Sequence, residues 1–120
     1  MPFAALAAFL LALAVGLGAF GAHALKERLD VYSLSVWEKA VFYHFVHALG
    51  MLIVSSMVQL KRPAADLICW LLLAGLILFS GSLYLLALTG TRALGAVTPF
   101  GGVAFIIAWI LLAWRLLSRS

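Results

Sequence analysis

Four runs of apolar residues, each about twenty long, leave this 120-residue chain few folds to choose from. A run of that length crosses hydrocarbon as a helix, because no water is there to satisfy an open backbone. With 67% hydrophobic and 10% charged residues and a mean hydropathy of +1.20, a soluble domain this small could not hide its apolar surface. The reading predicts one all-α domain over residues 1–120, an integral membrane four-helix bundle with short connections. Its spans are expected at about 3–25, 36–60, 66–88 and 98–117. The lipid bilayer is its first partner. The formal charge of +4 lies mainly between or beyond the runs, which suits anionic headgroups. No basic patch on a soluble face points to nucleic acid. Cys69 is the only cysteine, so no intramolecular disulfide forms.

The first run contains Ala22-His23-Ala24, which fits a leader-cleavage pattern. Yet it has no basic region before it and is long for a leader, so a retained span is expected. Ala4, Ala8, Ala12 and Gly16 form one small-residue ridge, and Ala14, Gly18 and Ala22 another. Such ridges let membrane helices approach closely and predict packing on more than one side. Gly16, Gly18 and Gly21 also fit G-x-G-x-x-G, but they sit inside an apolar helix, not between strand and helix. No dinucleotide loop follows.

Ser35-Val36-Trp37-Glu38 reads as a capping box that starts the second helix at Val36. Lys61-Arg62-Pro63 is expected to end it, since proline removes a donor and restricts the residue before it. Asp66 then suits the first turn of the third span. Thr98 reads as the cap of the fourth span, with Pro99 at its first helical position. Trp37, Trp70, Trp109 and Trp114 lie mostly toward span ends, as interfacial anchors do.

Ionisable residues inside a membrane helix are expensive to keep and mark functional sites by default. His44 and His47 fall on one helical face of the second run, with Tyr43 one turn before His47. Four alternating spans bring His23, His44, His47, Tyr43, Ser80, Ser82 and Tyr84 toward one membrane side, where Thr98, Gly101 and Gly102 open the last span. A single one-sided pocket is therefore expected. Lysine and arginine do not decide the orientation: Lys61, Arg62, Arg115 and Arg119 balance Lys26, Arg28, Lys39 and Arg92. Acidic residues dilute the second set more, which favours both termini in the cytoplasm.

Phe20-Gly21-Ala22-His23-Ala24-Leu25, Tyr43-His44-Phe45-Val46-His47-Ala48-Leu49, Leu78-Phe79-Ser80-Gly81-Ser82-Leu83-Tyr84 and Thr98-Pro99-Phe100-Gly101-Gly102 occur in that order. Together they resemble the YgdD-like family of small four-span membrane proteins, found in bacteria with relatives in animals. The resemblance covers essentially the whole chain and implies a bacterial cytoplasmic (inner) membrane location. It departs at Ala108-Trp109, where a glycine is expected before the tryptophan. It implies an architecture and no activity.

Three readings of the polar residues compete. Neutral histidines would glue helices together by bonding serine, tyrosine or a freed carbonyl. A pocket would bind a small polar ligand, a lipid headgroup or a partner. A metal or haem would take His23, His44 and His47 as ligands, with a tyrosine oxygen beside them. No acidic residue or cysteine lies deep among them to add affinity to a metal. Gly101-Gly102 would either cradle an anion at the helix end or permit close packing. No Ser-His-Asp set or intramembrane carboxylate pair supports an enzyme. An ion pathway through His44 and His47, or an accessory subunit packing on a membrane protein partner or a second copy, completes the alternatives. The expectation is a non-enzymatic protein with no resident cofactor and a one-sided polar pocket.

Overall fold

In the computed structural model, which describes residues 1–118, four helical spans are long and apolar enough to cross a membrane. Helix α1 (Phe3–Phe20) runs on into a π-helical turn at Gly21–Leu25, and α2 covers Val31–Ser56. The third span is α3 (Arg62–Gly75), a π-helical turn at Leu76–Gly81, and α4 (Ser82–Thr89). A 3-10 turn at Arg92–Ala96 leads into α5 (Thr98–Leu117). The molecule measures 50 × 27 × 22 Å, and its long axis matches a bilayer of roughly 40–45 Å with its headgroups. Large apolar side chains such as Phe9, Phe42, Ile53, Ile77 and Ile110 point outward, as a lipid-facing surface requires. Arg119, one of the charges counted for orientation, lies outside the described residues.

Several helix starts differ from the sequence expectation. The cap of α2 is Asp30, not Ser35: its carboxylate accepts the Ser33 amide at 2.7 Å. Ser35 lies inside the helix and donates to the Tyr32 carbonyl at 2.7 Å, as mid-helix serines do. A competent cap earlier in the chain wins because the residues after it, Val31 to Leu34, prolong the helix at no cost. The other end of α2 comes at Ser56, with Met57 already extended, so Pro63 does not stop it. Pro63 instead sits in the first turn of α3, where its missing donor is harmless. Asp66 therefore lies past that first turn and faces Arg62 at 3.6 Å in an exposed pair of small worth. Thr98 is helical and flanked by Val97, and its hydroxyl turns to another helix rather than capping its own. Gly90 closes α4 with φ +70°, a conformation that favours glycine.

Packing centres on α2. Helix α1 lies mainly against α2, α5 lies mainly against α3, and α2 also meets α3, α4 and the π turn between them. Glycines permit close approach at several crossings. A Cβ on Gly50 would stand 2.6 Å from Trp109, one on Gly75 would strike Phe105, and one on Gly101 would strike the Phe79 main chain. The ridge Ala4, Ala8, Ala12 and Gly16 is exposed, and a Cβ on Gly16 would have nothing within 4 Å. On the other ridge Ala14 is buried, a Cβ on Gly18 would be in ordinary contact with Val41 and Phe45, and Ala22 is exposed. Two apolar clusters result. One holds Phe3, Met51, Ile68, Leu72 and Phe105; the other holds Leu25, Trp37, Ala40, Leu83 and Leu86. His44, His47, Ser80 and Ser82 are the buried polar residues among those described.

Candidate functional site

His44 stands midway along α2, roughly 20 Å from Val31 at 1.5 Å per residue. The early start of α2 puts it farther from the first residue of its helix than a start at Val36 would. Its Nδ1 lies 2.8 Å from the Tyr84 hydroxyl of α4. Tyr84 packs on Trp37 at 4.7 Å, and the Trp37 indole donates to the Leu17 carbonyl of α1 at 2.9 Å. The π turn carries Ser80 toward α2, where its hydroxyl donates to the Ala40 carbonyl at 2.9 Å. Ala40 is one turn before His44. Thus α1, α2 and the third span are tied together by polar contacts around one imidazole.

The tautomer follows from counting partners. If Nδ1–H donated to Tyr84, the phenol hydrogen and the Nε2 lone pair would both lack partners. If the phenol donates to Nδ1, only Nε2–H is left over, and that is the cheaper arrangement. Among the described residues, His44 Nε2 is the one buried side-chain nitrogen or oxygen with no hydrogen-bond partner. The Leu10 carbonyl lies alongside the ring without closing a hydrogen bond to it.

A groove of about 180 Å³ runs over this imidazole between α1 and the third span. Leu10, Leu13 and Leu17 form one wall, and Leu73, Leu76 and Ile77 the other. His44, Ser80 and Tyr84 lie at its floor with their polar atoms turned into the protein, so its surface is almost wholly apolar. Leu13 and Ile77 at the rim are exposed, so the groove opens sideways to the surface that lipid covers. No charged residue lines it. Such a site suits an uncharged amphiphile better than an ion.

The structure divides the expected single pocket. His47 faces α5, not the groove: its Nδ1 donates to the Tyr43 carbonyl at 2.8 Å, and its ring stacks on Phe105 at 3.5 Å. Tyr43 belongs to the same aromatic stack, 4.4 Å from Phe79. Ser82 and Thr98 pair at 2.6 Å between α4 and α5, with Ser82 also 3.0 Å from the Phe79 carbonyl. Gly101 is buried against Phe79, which assigns it to close packing, and Gly102 has ordinary contact with the same ring. His23 sits exposed in the π turn that ends the first span. The proposed ligand set His23, His44 and His47 is therefore not assembled. Among the described residues no group of three potential metal ligands occurs. The reason is rotational. A three-residue step turns His47 far enough from His44 to meet a different helix, although both share the buried side of α2.

Sequence reasoning missed the leucine walls and the Trp37–Leu17 tie. Leucines in an apolar run carry no signal of their own. The seat of Trp37 at Gly21, where a Cβ would stand 2.5 Å from its Nε1, likewise left no mark in the sequence.

Fold and site together define a small four-span membrane protein with a lateral groove. The chain belongs to the family described as "Protein of unknown function (DUF423)", which matches residues 17–102. That stretch contains all the candidate polar and glycine positions, from His23 to Gly102. The chain is similar to a UPF0382 membrane protein of Staphylococcus saprophyticus, 49% identical over 100 residues and 83% of each chain. It is likewise similar to the UPF0382 membrane protein YwdK of Bacillus subtilis, 49% identical over 102 residues and 83% of each chain. No solved structure matches it.

Proposed function

We propose that this protein is a non-enzymatic component of the bacterial cytoplasmic membrane, with both termini cytoplasmic, that binds an uncharged amphiphile taken sideways from the bilayer. Its apolar part lies between the leucines of α1 and those of the third span, over His44. The groove itself carries the reading: it is lined by leucine and isoleucine, holds no charge, and opens sideways where lipid lies. Absence of charge on the groove lining argues against an ion pathway there. It also disfavours acid–base catalysis, since no carboxylate reaches the imidazole. The narrower likeness to YgdD-like proteins supports the same four-span plan and adds no ligand.

The test is native mass spectrometry of protein released from lipid nanodiscs, beside a Leu13→Trp variant. Leu13 is an exposed rim residue, so a tryptophan there obstructs the groove mouth without entering the core. A retained lipid-sized mass on the parent, lost from the variant, is the expected result. Equal retention by both would overturn the groove as the binding site.

A further inference from the structure

We propose that a cleft between the start of α3 and the end of α5 binds the phosphate of an anionic glycerophospholipid, held between Lys61 and Arg115. The site is separate from the groove over His44. Ala64 of the cleft and Leu73 of the groove, both on the third span, stand about 13 Å apart by the helical rise. Charge, backbone and level in the membrane select the occupant.

The cleft, of about 200 Å³, is lined by Gln59, Leu60, Lys61, Ala64, Arg115 and Ser118. Helix α5 packs on α3, which sets its last turn, with Arg115, beside the connection that carries Lys61. Either cation alone would pass for an ordinary span-end charge. Here one from the connection and one from α5 line the same cleft, and neither is in an ion pair among the described residues. The acidic residues are placed elsewhere. Asp66 faces Arg62 at 3.6 Å and does not line the cleft, and Glu27, Asp30 and Glu38 belong to the other end of the bundle. Two uncompensated cations call for an anion. A zwitterionic headgroup would bring an ammonium that finds no carboxylate in the lining.

The backbone adds to this charge. Helix α3 begins without a side-chain cap, its N-cap being Lys61, which offers no acceptor. Pro63 has no N–H to satisfy, and the amides of Arg62 and Ala64 stand in the first turn at the positive end of the helix dipole. Ala64 lines the cleft, so that end of the dipole acts on the same place as the two cations.

Its level is that at which acyl chains meet headgroups. Leu60 and Ala64 are buried in it, and Leu60 belongs to the apolar cluster of Phe3 and Ile68. Val58, Trp114 and Leu117, close in the chain to its lining residues, are exposed apolar side chains that call for a membrane border beside them. Lysine and arginine at such a border lay their stems on apolar surface and raise their charge to the headgroups. A free phosphate ion would use the cations and leave that border unused, whereas a lipid uses both. Basic pockets between helix ends are a recurrent seat for anionic headgroups.

The experiment titrates phosphatidylglycerol and phosphatidylcholine with the same acyl chains into the full chain in neutral detergent and counts bound lipid by native mass spectrometry. The parent is expected to hold phosphatidylglycerol in preference to phosphatidylcholine. Lys61→Gln and Arg115→Gln are each expected to weaken phosphatidylglycerol binding about fivefold, and the double variant about thirtyfold. Both side chains are exposed, so the fold is not at stake. Lys26→Gln combined with Arg92→Gln removes the same charge from the other end and should leave the affinity unchanged, as should Leu13→Trp at the groove. An equal loss in that charge-matched pair would reduce the preference to the overall charge of the protein and overturn the site. Loss on Leu13→Trp would place the lipid in the groove and overturn the cleft. Equal affinity of the parent for both lipids would overturn recognition of an anion. Displacement of phosphatidylglycerol by millimolar inorganic phosphate would identify a site for the free ion and overturn the lipid.

Discussion

Trp37 and Gly21 form a ring and its seat: a Cβ at Gly21 would stand 2.5 Å from the indole nitrogen, whose hydrogen goes to the Leu17 carbonyl at 2.9 Å. The contact fixes where the first span crosses α2, and it sits on the π turn that ends that span. Gly21→Val should therefore push Trp37 off its acceptor and destabilise the protein by about 1–3 kcal/mol, the usual cost of overpacking. Gly16→Ala, with nothing within 4 Å of the new atom, should be neutral or slightly stabilising. Unfolding midpoints in mild detergent separate the two, and equal midpoints would remove the seat.

Gly101 and Gly102 differ in the same way. An added Cβ at Gly101 meets main-chain atoms of Phe79 and Leu78, which cannot swing aside, whereas at Gly102 it only touches the Phe79 ring at 3.8 Å. Gly101→Ala should cost about 2 kcal/mol or more and separate α5 from the π turn. Gly102→Ala should change stability by less than about 0.5 kcal/mol. Were Gly102 an anion cradle, its substitution would instead abolish binding without altering stability, so stability and lipid retention should be measured together.

Span number and helical class were legible because long apolar runs without charges permit few other structures. Which polar residues share a pocket was not. His44 and His47 lie three apart on the buried side of α2, yet Tyr84 and Phe105, from different helices, claim them separately. Residue spacing gives a direction on one helix and says nothing of which neighbour stands there. Pairing Ser80 with Ala40 depends on a π turn, which adds width to the helix without leaving a mark in the apolar pattern. The capping box at Ser35 was misleading for a local reason: Asp30 caps equally well and comes first.

Ser80→Ala removes the hydroxyl that ties the third span to the Ala40 carbonyl, while the intrahelical partner of that carbonyl remains. The expected loss is about 0.5–1.5 kcal/mol, at the modest level of interhelical hydrogen bonds in membranes. Lipid retention should change little, because the serine hydroxyl is buried and already bonded to the Ala40 carbonyl. A loss of retained lipid with stability unchanged would make Ser80 part of the binding site.

The metal reading has its own discriminating result. With His23 exposed and His47 stacked on Phe105, His23→Ala and His47→Ala should leave the metal content of purified protein unchanged by elemental analysis. Stoichiometric metal in the parent that disappears in either variant would require the three histidines to come together in another conformation.

Asp30 gives a pH dependence whose sign can be worked out. The Ser33 amide, bonded to its carboxylate at 2.7 Å, holds the Asp30 pKa below its ordinary value of 3.8. A depressed carboxylate pKa adds stability that is fully present above the unfolded value and is lost as pH falls through the lower, folded value. The first turn of α2 should therefore be intact at neutral pH and fray below about pH 4, near the unfolded carboxylate value. Asp30→Ala should fray it at every pH and erase the acid step. Amide exchange at Ser33 measures this directly, with Ser35→Ala and Glu38→Ala as controls that should leave the exchange unchanged. If the Ser33 amide exchanges freely in the parent and Asp30→Ala does not change it, the helix begins at the capping box after all.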